Sequence, residues 1–420
     1  MAMSEIIINK SNVSGTGIFE EPCHAKGNIS GFFIIGAYTY ISHNSVITDA
    51  LIGRYSRIDE ECHIGCKQPS FQCFSNSFFS YSENGPFKEN KYYQSIKPLR
   101  SYREKNKIST IGSDVHIHRG VVIYAGANIA DGSIVLANSV VVDDIPPYAI
   151  AAGNPAKIIG YRFDENTITD FLKSKWWMKD ISICFSEKLD DIVDNIEFFK
   201  RVFNENLIDM AVKRLYHSGS TKINYFSETK KIVIGPSHIS LLSAYMETKN
   251  INPKRFISIG RPGWSLHSDN LYKVILWLTE FFDEIVLFVP DFRIGNSTID
   301  KKCRDGTFIQ KNSVSNKNDI ACYNHAIEVL EGLKSLKKVR FIFWCLKGRE
   351  EINKNNNKYI FDGQYRHPIW NYDELVYRFK DNTIELNDMG VDIVADTQAD
   401  GTVHPNELGF TKIINYLETV

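Results

Sequence analysis

Residues 111–146 read IGSDVH, IHRGVV, IYAGAN, IADGSI, VLANSV and VVDDIP when cut every six residues. Each block opens on an aliphatic residue: Ile111, Ile117, Ile123, Ile129, Val135 and Val141. The fifth position of the earlier blocks is small or β-branched: Val115, Val121, Ala127, Ser133 and Ser139. A helix cannot keep this period on one face, because its turn holds 3.6 residues, and a flat strand alternates every two. A triangular coil fits: each side takes six residues and turns its first aliphatic inward, and stacked coils bury one continuous ladder. An earlier tract behaves alike, with Ile35, Ile41 and Ile47, a one-residue slip, then Ile52, Ile58 and Ile64. Residues 66–108 interrupt the period with an aromatic and polar segment that includes Phe71, Phe74, Phe78, Phe79 and Tyr81. A loop this long inside a compact domain is usually functional.

The chain has 420 residues, 43% of them hydrophobic and 24% charged, which suits two or three soluble globular domains and excludes a disordered or collagen-like chain. The net charge of −1 gives no reason to expect a nucleic-acid partner. The start, MAMSEIIINK, lacks the long apolar core of a signal peptide. The most apolar stretch, 272–290, is interrupted by Glu280, Asp283 and Glu284, so no membrane span is expected. Eight cysteines without paired CxxC units read as reduced thiols of a cytoplasmic protein. Cys62, His63 and Cys66 lack a second ligand pair at zinc-site spacing, and no metal site is expected.

The period changes after Trp177. Residues 180–216 carry helical spacing, and the polar stretch 217–230 reads as a linker. Beyond it, KIVIG, FISIG, EIVLFVP and VRFIFWCL are short apolar runs suited to strands buried on both faces. Helical patterns at about 238–249, 269–283, 319–336 and 406–418 alternate with them. This is an α/β pattern: a parallel sheet covered by helices. The expected domains are therefore 1–205, a helix end and linker over 206–230, and 231–420.

The first ~205 residues resemble hexapeptide-repeat acyltransferases of the xenobiotic/chloramphenicol acetyltransferase type. The features that carry the resemblance are the hexads, the protruding loop, and Pro147-Tyr148-Ala149-Ile150 leading into Gly153-Asn154-Pro155-Ala156-Lys157. Arg162-Phe163 and a helix with Trp176-Trp177 also match. The resemblance implies a left-handed parallel β-helix, a homotrimer, and an acetyl-CoA groove near Gly153, Asn154 and Lys157. It also implies a catalytic His in the protruding loop, where this chain has Gln68. Glutamine cannot take a proton from a hydroxyl near neutral pH. His116 and His118 stand where the family has Trp and Gly, and they are the candidate displaced bases.

In the second half, KIVIG ends at Gly235-Pro236-Ser237-His238. Ligands gather at the C-terminal ends of parallel strands. A Ser there, opening a helix, is placed either to attack a carbonyl or simply to cap the helix. Near the C-terminus, Asp400-Gly401-Thr402-Val403-His404-Pro405-Asn406 precedes the last helix and offers a base with a carboxylate to orient it. His238 reads as a packing or solvent-facing residue.

This pairing resembles the SGNH (GDSL-like) hydrolases over about residues 230–420, a three-layer, flavodoxin-like α/β fold. The resemblance implies Ser237 as nucleophile, His404 as base and Asp400 as its partner. Ser237, Gly260 (or Gly263) and Asn296 would form the oxyanion site, with Arg293 as a rival to Asn296. Gly-Pro-Ser stands in place of the usual Gly-Asp-Ser, and Asp400 lies one residue further from the His than usual. The combined expectation is an O-acetyltransferase acting from acetyl-CoA on a hydroxyl of a capsule-type or O-antigen glycan or its sugar precursor. Alternatives are a carbohydrate acetylesterase with the β-helix as trimeric scaffold, transfer by the β-helix domain alone, and a non-catalytic glycan-binding protein.

Overall fold

A computed structural model of the chain describes residues 6–8, 12–67, 75, 77, 86–96, 107–182, 207–218, 224–227, 229–260, 264, 266, 270–289, 299–302, 308–310, 316–344, 359–361, 372–393, 395–397 and 404–420. The chain divides into two compact units, Met1–Gly15 with Phe19–Met210, and Thr16–Ile18 with Ala211–Val420.

The first unit is a parallel β-helix. On one side, strands Ile6–Ile8, Cys23–Ala25, Tyr40–Ile41, Arg57–Ile58, His116–Ile117, Ile134–Val135 and Ala149–Gly153 stack parallel in that order. A second side stacks the start of Val46–Ile52 on His63–Cys66, Val122–Tyr124 and Val140–Val141. The third side pairs Ala50–Ile52 with Ser109–Ile111 and then Asn128–Ile129. The hexad aliphatics make the core. Ile41, Ile47, Ile58, Ile117, Ile123 and Ile129 all have zero exposure. Ser133 and Ser139, at the small fifth positions, are equally buried, and their hydroxyls satisfy backbone carbonyls at the corners: Ser133 Oγ donates to Pro146 O at 2.9 Å and Ser139 Oγ to Leu136 O at 2.6 Å.

The one-residue slip between Ile47 and Ile52 has a structural cause. Strand Val46–Ile52 turns a corner without leaving the sheet, with Asp49 in the left-handed region at φ 50°. Its carboxylate accepts from Phe32 N of the preceding coil at 2.9 Å, which supports a conformation that non-glycine residues rarely adopt. The protruding segment contains one described helix, Lys91–Ser95. Gln68 lies outside the described residues. Strand Ala156–Tyr161 returns antiparallel on Ala149–Gly153, and helix Glu165–Ser174 follows, capped by the Asp164 carboxylate on Thr167 N.

The second unit holds a four-stranded parallel sheet, in the order Ile257–Gly260, Lys231–Gly235, Glu284–Phe288, Val339–Ile342. Strand Lys231–Gly235 is buried at every residue, as a central strand covered on both faces must be. Helix Ser237–Thr248 pairs with Glu407–Thr419 through stacked Tyr245 and Phe410, and helix Leu271–Phe281 lies beside Asn316–Lys334, where Tyr272 meets Gly332. With right-handed crossovers, the first connection runs to one neighbour of the central strand and the second to the other, so helices cover both faces. The strand order therefore reverses beside Lys231–Gly235.

Two regions depart from the sequence reading. Residues assigned to the helix end and linker, 206–230, include an antiparallel hairpin, Lys213–Ser218 with Asn224–Ser227. Buried Arg214 explains why the chain is ordered there: Nη1 donates to Thr229 O at 2.8 Å, Nη2 to Phe281 O at 3.1 Å, and the guanidinium lies 4.7 Å from the Phe282 ring centre. The polar stretch 217–230, read as a linker, carries the strand Asn224–Ser227. A small sheet of Ile299–Lys302, Phe308–Gln310 and Tyr359–Phe361 was also not foreseen. Most of the helical pattern over 180–216 lies outside the described residues.

The β-helix also encloses an ion pair. Arg54 Nε and Nη2 meet Glu20 Oε2 and Oε1 at 2.6 and 3.0 Å, with both side chains 2% exposed, and Ala37 N donates to Oε2 at 3.2 Å. Removing one partner leaves a buried charge uncompensated. Glu20→Ala is expected to destabilise the first unit by about 3–5 kcal/mol, and Glu20→Met with Arg54→Met to recover most of that loss, as read by denaturant unfolding.

Candidate active site

Ser237 opens helix Ser237–Thr248 directly after the central strand, beside the point where strand order reverses. Pro236 is its N-cap residue, in extended conformation, and its carbonyl accepts from Ile239 N at 3.1 Å. Ahead of that bond, the first N–H groups of a helix have no acceptor within it, and such groups can serve an anion at a strand end. Close approach of helix and sheet is required here. A Cβ on Gly260 would collide with Ser240 N and Ile239 C, and one on Gly235 would meet Phe288 Cβ at 2.7 Å. Gly235 and Gly260 are themselves paired across the two strands.

Ser237 Oγ lies 2.8 Å from His404 Nε2 across 167 residues of chain. The two sequence motifs therefore meet in one site, with hydroxyl and imidazole at the distance proton transfer requires. His404 is placed by the loop before the last helix. Thr397 and Pro405 form an antiparallel bridge. Asn406 caps helix Glu407–Thr419 by accepting from Gly409 N at 3.0 Å, and its amide donates to Ala395 O at 2.7 Å. Asp396, with zero exposure, binds Lys412 Nζ at 2.7 Å and Asp392 N at 2.7 Å, and its carbonyl accepts from Asn406 N at 2.8 Å. Both ends of the segment carrying His404 are thus tied to the body of the unit.

Asp400, Asn296, Arg293 and Gly263 lie outside the described residues. Gly260 is at the adjacent strand end, where its lack of a side chain serves helix packing. His238, read as a packing or solvent-facing residue, is only 6% exposed and its ring centre lies 4.6 Å from that of His404. It belongs to the site's wall. Its place next to Ser237 was visible, but its contact with His404 depends on the distant loop. Trp264 is buried.

In the first unit, Gly153, Asn154 and Lys157 are exposed together at the tip of the final hairpin. Ser139 Oγ accepts from Gly153 N at 3.0 Å, and the Asn154–Pro155 bond is cis. His116 and His118 are also together, their rings stacked with centres 4.0 Å apart. His116 Nε2 lies 3.1 Å from Asp59 Oδ2, while Arg57 Nε donates to Asp59 Oδ1 at 2.8 Å. Burial would raise the Asp59 carboxyl, but the Arg57 and His116 hydrogen bonds outweigh it and hold it below the usual range. Burial lowers His116, with the Asp59 bond opposing. Asp59 is the residue of this group that sequence reasoning missed; no local motif names it, because it comes from the coil below. Of the cysteines weighed as a metal pair, Cys62 is buried and donates to His118 O at 3.1 Å, and burial pushes its thiol up to about 11.

No family model matches the chain. It is 42% identical over 89 residues to a probable macrolide acetyltransferase of Lysinibacillus sphaericus, covering 21% of this chain and 45% of that protein. It is 42% identical over 69 residues to a chloramphenicol acetyltransferase of Agrobacterium fabrum, covering 16% of this chain and 33% of that one. The chain thus spans less than half the length of these curated relatives. Among solved structures, a maltose O-acetyltransferase from Clostridium difficile is similar at 18% identity and a TM-score of 0.26, covering 37% of this chain and 73% of that one. A hexapeptide-repeat containing acetyltransferase from Vibrio cholerae is similar at 24% identity and a TM-score of 0.23, covering 35% and 70%. The N-terminal region is accordingly similar to hexapeptide-repeat acetyltransferases.

A serine held this way should react with a fluorophosphonate probe. The probe is expected to label Ser237, with no labelling in Ser237→Ala and labelling slowed by about 10²-fold or more in His404→Gln, as measured by peptide mass spectrometry.

Proposed function

We propose that the protein is an O-acetyltransferase that moves acetyl from acetyl-CoA to a glycan hydroxyl through Ser237 and His404. The single observation that carries this reading is the 2.8 Å approach of Ser237 Oγ to His404 Nε2 at the C-terminal edge of a parallel sheet. The similarity of the N-terminal region to acetyltransferases supplies the acyl group and the donor.

The chemistry follows from the geometry. His404 Nε2 takes the Ser237 proton as Oγ attacks the acetyl carbonyl. First-turn N–H groups of helix Ser237–Thr248, with Gly260 at the adjacent strand end and Asn296 from the following loop, would face the developing oxyanion. The C–S bond breaks, and the CoA sulfur leaves with the proton from His404. The acceptor hydroxyl then gives its proton to His404 and attacks the acetyl-Ser237 carbonyl. Collapse releases the acetylated sugar and returns the proton to Ser237 Oγ. Asp400 would orient His404 and stabilise its charged form. No step requires a metal.

The remaining assignments in this proposal are an SGNH-like second domain, a β-helix homotrimer, an acetyl-CoA groove at Gly153, Asn154 and Lys157, a capsule-type or O-antigen acceptor, and a cytoplasmic location. No helix among the described residues is long and apolar enough to cross a membrane.

Acetyl-CoA turnover, followed as thiol release with a panel of capsule-type oligosaccharides, tests the reading. Ser237→Ala is expected to lower turnover by at least about 10³-fold while the protein stays folded. Unchanged turnover would move the chemistry to the β-helix and to His116 or His118. Acetate release from an acetylated glycan, without use of acetyl-CoA, would make the protein an esterase.

A further inference from the structure

We propose that Asp59, His116 and His118 form a binding site for one divalent transition-metal ion of the zinc type, on the outside of the β-helix. This inference rests on no part of the Ser237 reaction.

The site is built by coil stacking. His116 and His118 are two residues apart on an extended segment, so their side chains leave the same face of the sheet. Strand His116–Ile117 pairs in parallel register with Arg57–Ile58, which brings Asp59 beside His118 in the adjacent coil. A His-x-His pair on one strand and a carboxylate from its neighbour therefore converge without any loop having to fold over them. The available ligand atoms of all three residues lie within 4.8 Å of one another. Donors about 2.0–2.2 Å from a zinc ion stand roughly 3.4 Å apart in a tetrahedron. The His116 Nε2 to Asp59 Oδ2 distance of 3.1 Å already fits that spacing. The separations to His118, at most 4.8 Å, exceed that spacing by no more than about 1.4 Å, and His118 is only half-buried, which leaves its ring room to turn.

The donor set also selects the ion. Two neutral imidazoles and one carboxylate suit zinc, cobalt, nickel or copper, whereas magnesium and calcium prefer oxygen alone. The carboxylate is already oriented by a neighbour. Arg57 Nε occupies Asp59 Oδ1 at 2.8 Å and leaves Oδ2 turned toward His116, the arrangement by which outer partners fix a metal-bound carboxylate. On binding, the ion takes the place of the hydrogen between His116 Nε2 and Asp59 Oδ2. The neutral ring shifts its single proton from Nε2 to Nδ1 by exchange with water, so His116 stays neutral and no proton is lost on balance. Three protein ligands leave a fourth position for water or for an oxygen of a bound molecule.

Zinc titration of the untagged full-length chain, dialysed against chelator and followed by competition with a chromophoric chelator, tests the site. Wild type is expected to bind one ion per chain at this site. His118→Ala, His116→Ala and Asp59→Asn are each expected to weaken that binding at least about tenfold, while the control His43→Ala leaves it unchanged. Cobalt substitution gives a second readout, because a site with imidazole ligands produces a visible spectrum that should vanish in the same variants. If His118→Ala fails to fold, as judged by circular dichroism, His118→Gln keeps the test intact. Absence of binding at micromolar zinc, or binding unchanged in all three ligand variants, overturns the proposal and leaves the cluster as a hydrogen-bonded tie between coils.

Discussion

Each side of a β-helix coil has room inside for one branched aliphatic, and that limit organises the first unit. Ile117, Ile123 and Ile129 fill three successive sides with zero exposure, and Ile41, Ile47 and Ile58 do the same in earlier coils. Because the interior is claimed at every sixth residue, the corners must be tight. They use left-handed backbone at residues such as Asn44, Glu61, Gly120 and Asn138. Serines fill the small corner positions and donate their hydroxyls to corner carbonyls. The outward positions are then free to vary. His116, His118 and Asp59 occupy such positions, and parallel register brings them together although 57 residues separate Asp59 from His116.

The second unit meets the same problem by different means. Its central strand is buried on both faces, so chemistry can reach it only at the strand ends. Ser237 stands at one such end, where helix Ser237–Thr248 begins. The partner imidazole arrives on a segment that would otherwise be a plain loop. Asp396 and Asn406 brace that segment from both sides, through Lys412, Asp392 N, Ala395 O and Gly409 N. The Ser237–His404 geometry therefore depends on residues outside the pair, an arrangement expected wherever an imidazole must hold its angle to a hydroxyl within a narrow range.

In the proposed reaction the base is His404, 2.8 Å from Ser237 Oγ, so none is required of the β-helix. In that proposal the β-helix would present the thioester. A serine with an adjacent imidazole can take the acyl group from it and hold it covalently until a sugar hydroxyl arrives. Hydrolase and transferase differ only in which nucleophile reaches the acyl-serine.

Reading the chain alone was sufficient for periodic features. A six-residue repeat admits few folds, because burial and backbone geometry act on each residue and its near neighbours. The runs KIVIG, FISIG, EIVLF and VRFI are strands for the same local reason. Ser237 and His404 could be named from their places at a strand end and before a helix. Their 2.8 Å approach could not, because it depends on contacts between residues 167 apart. The hairpin over 213–227 escaped notice because its stability comes from buried Arg214 reaching Thr229 and Phe281, partners that no local pattern reveals. Asp59 was likewise invisible beside His116 and His118 until one coil was laid on the next. Periodicity is a property of neighbours along the chain, whereas a site is a property of neighbours in space.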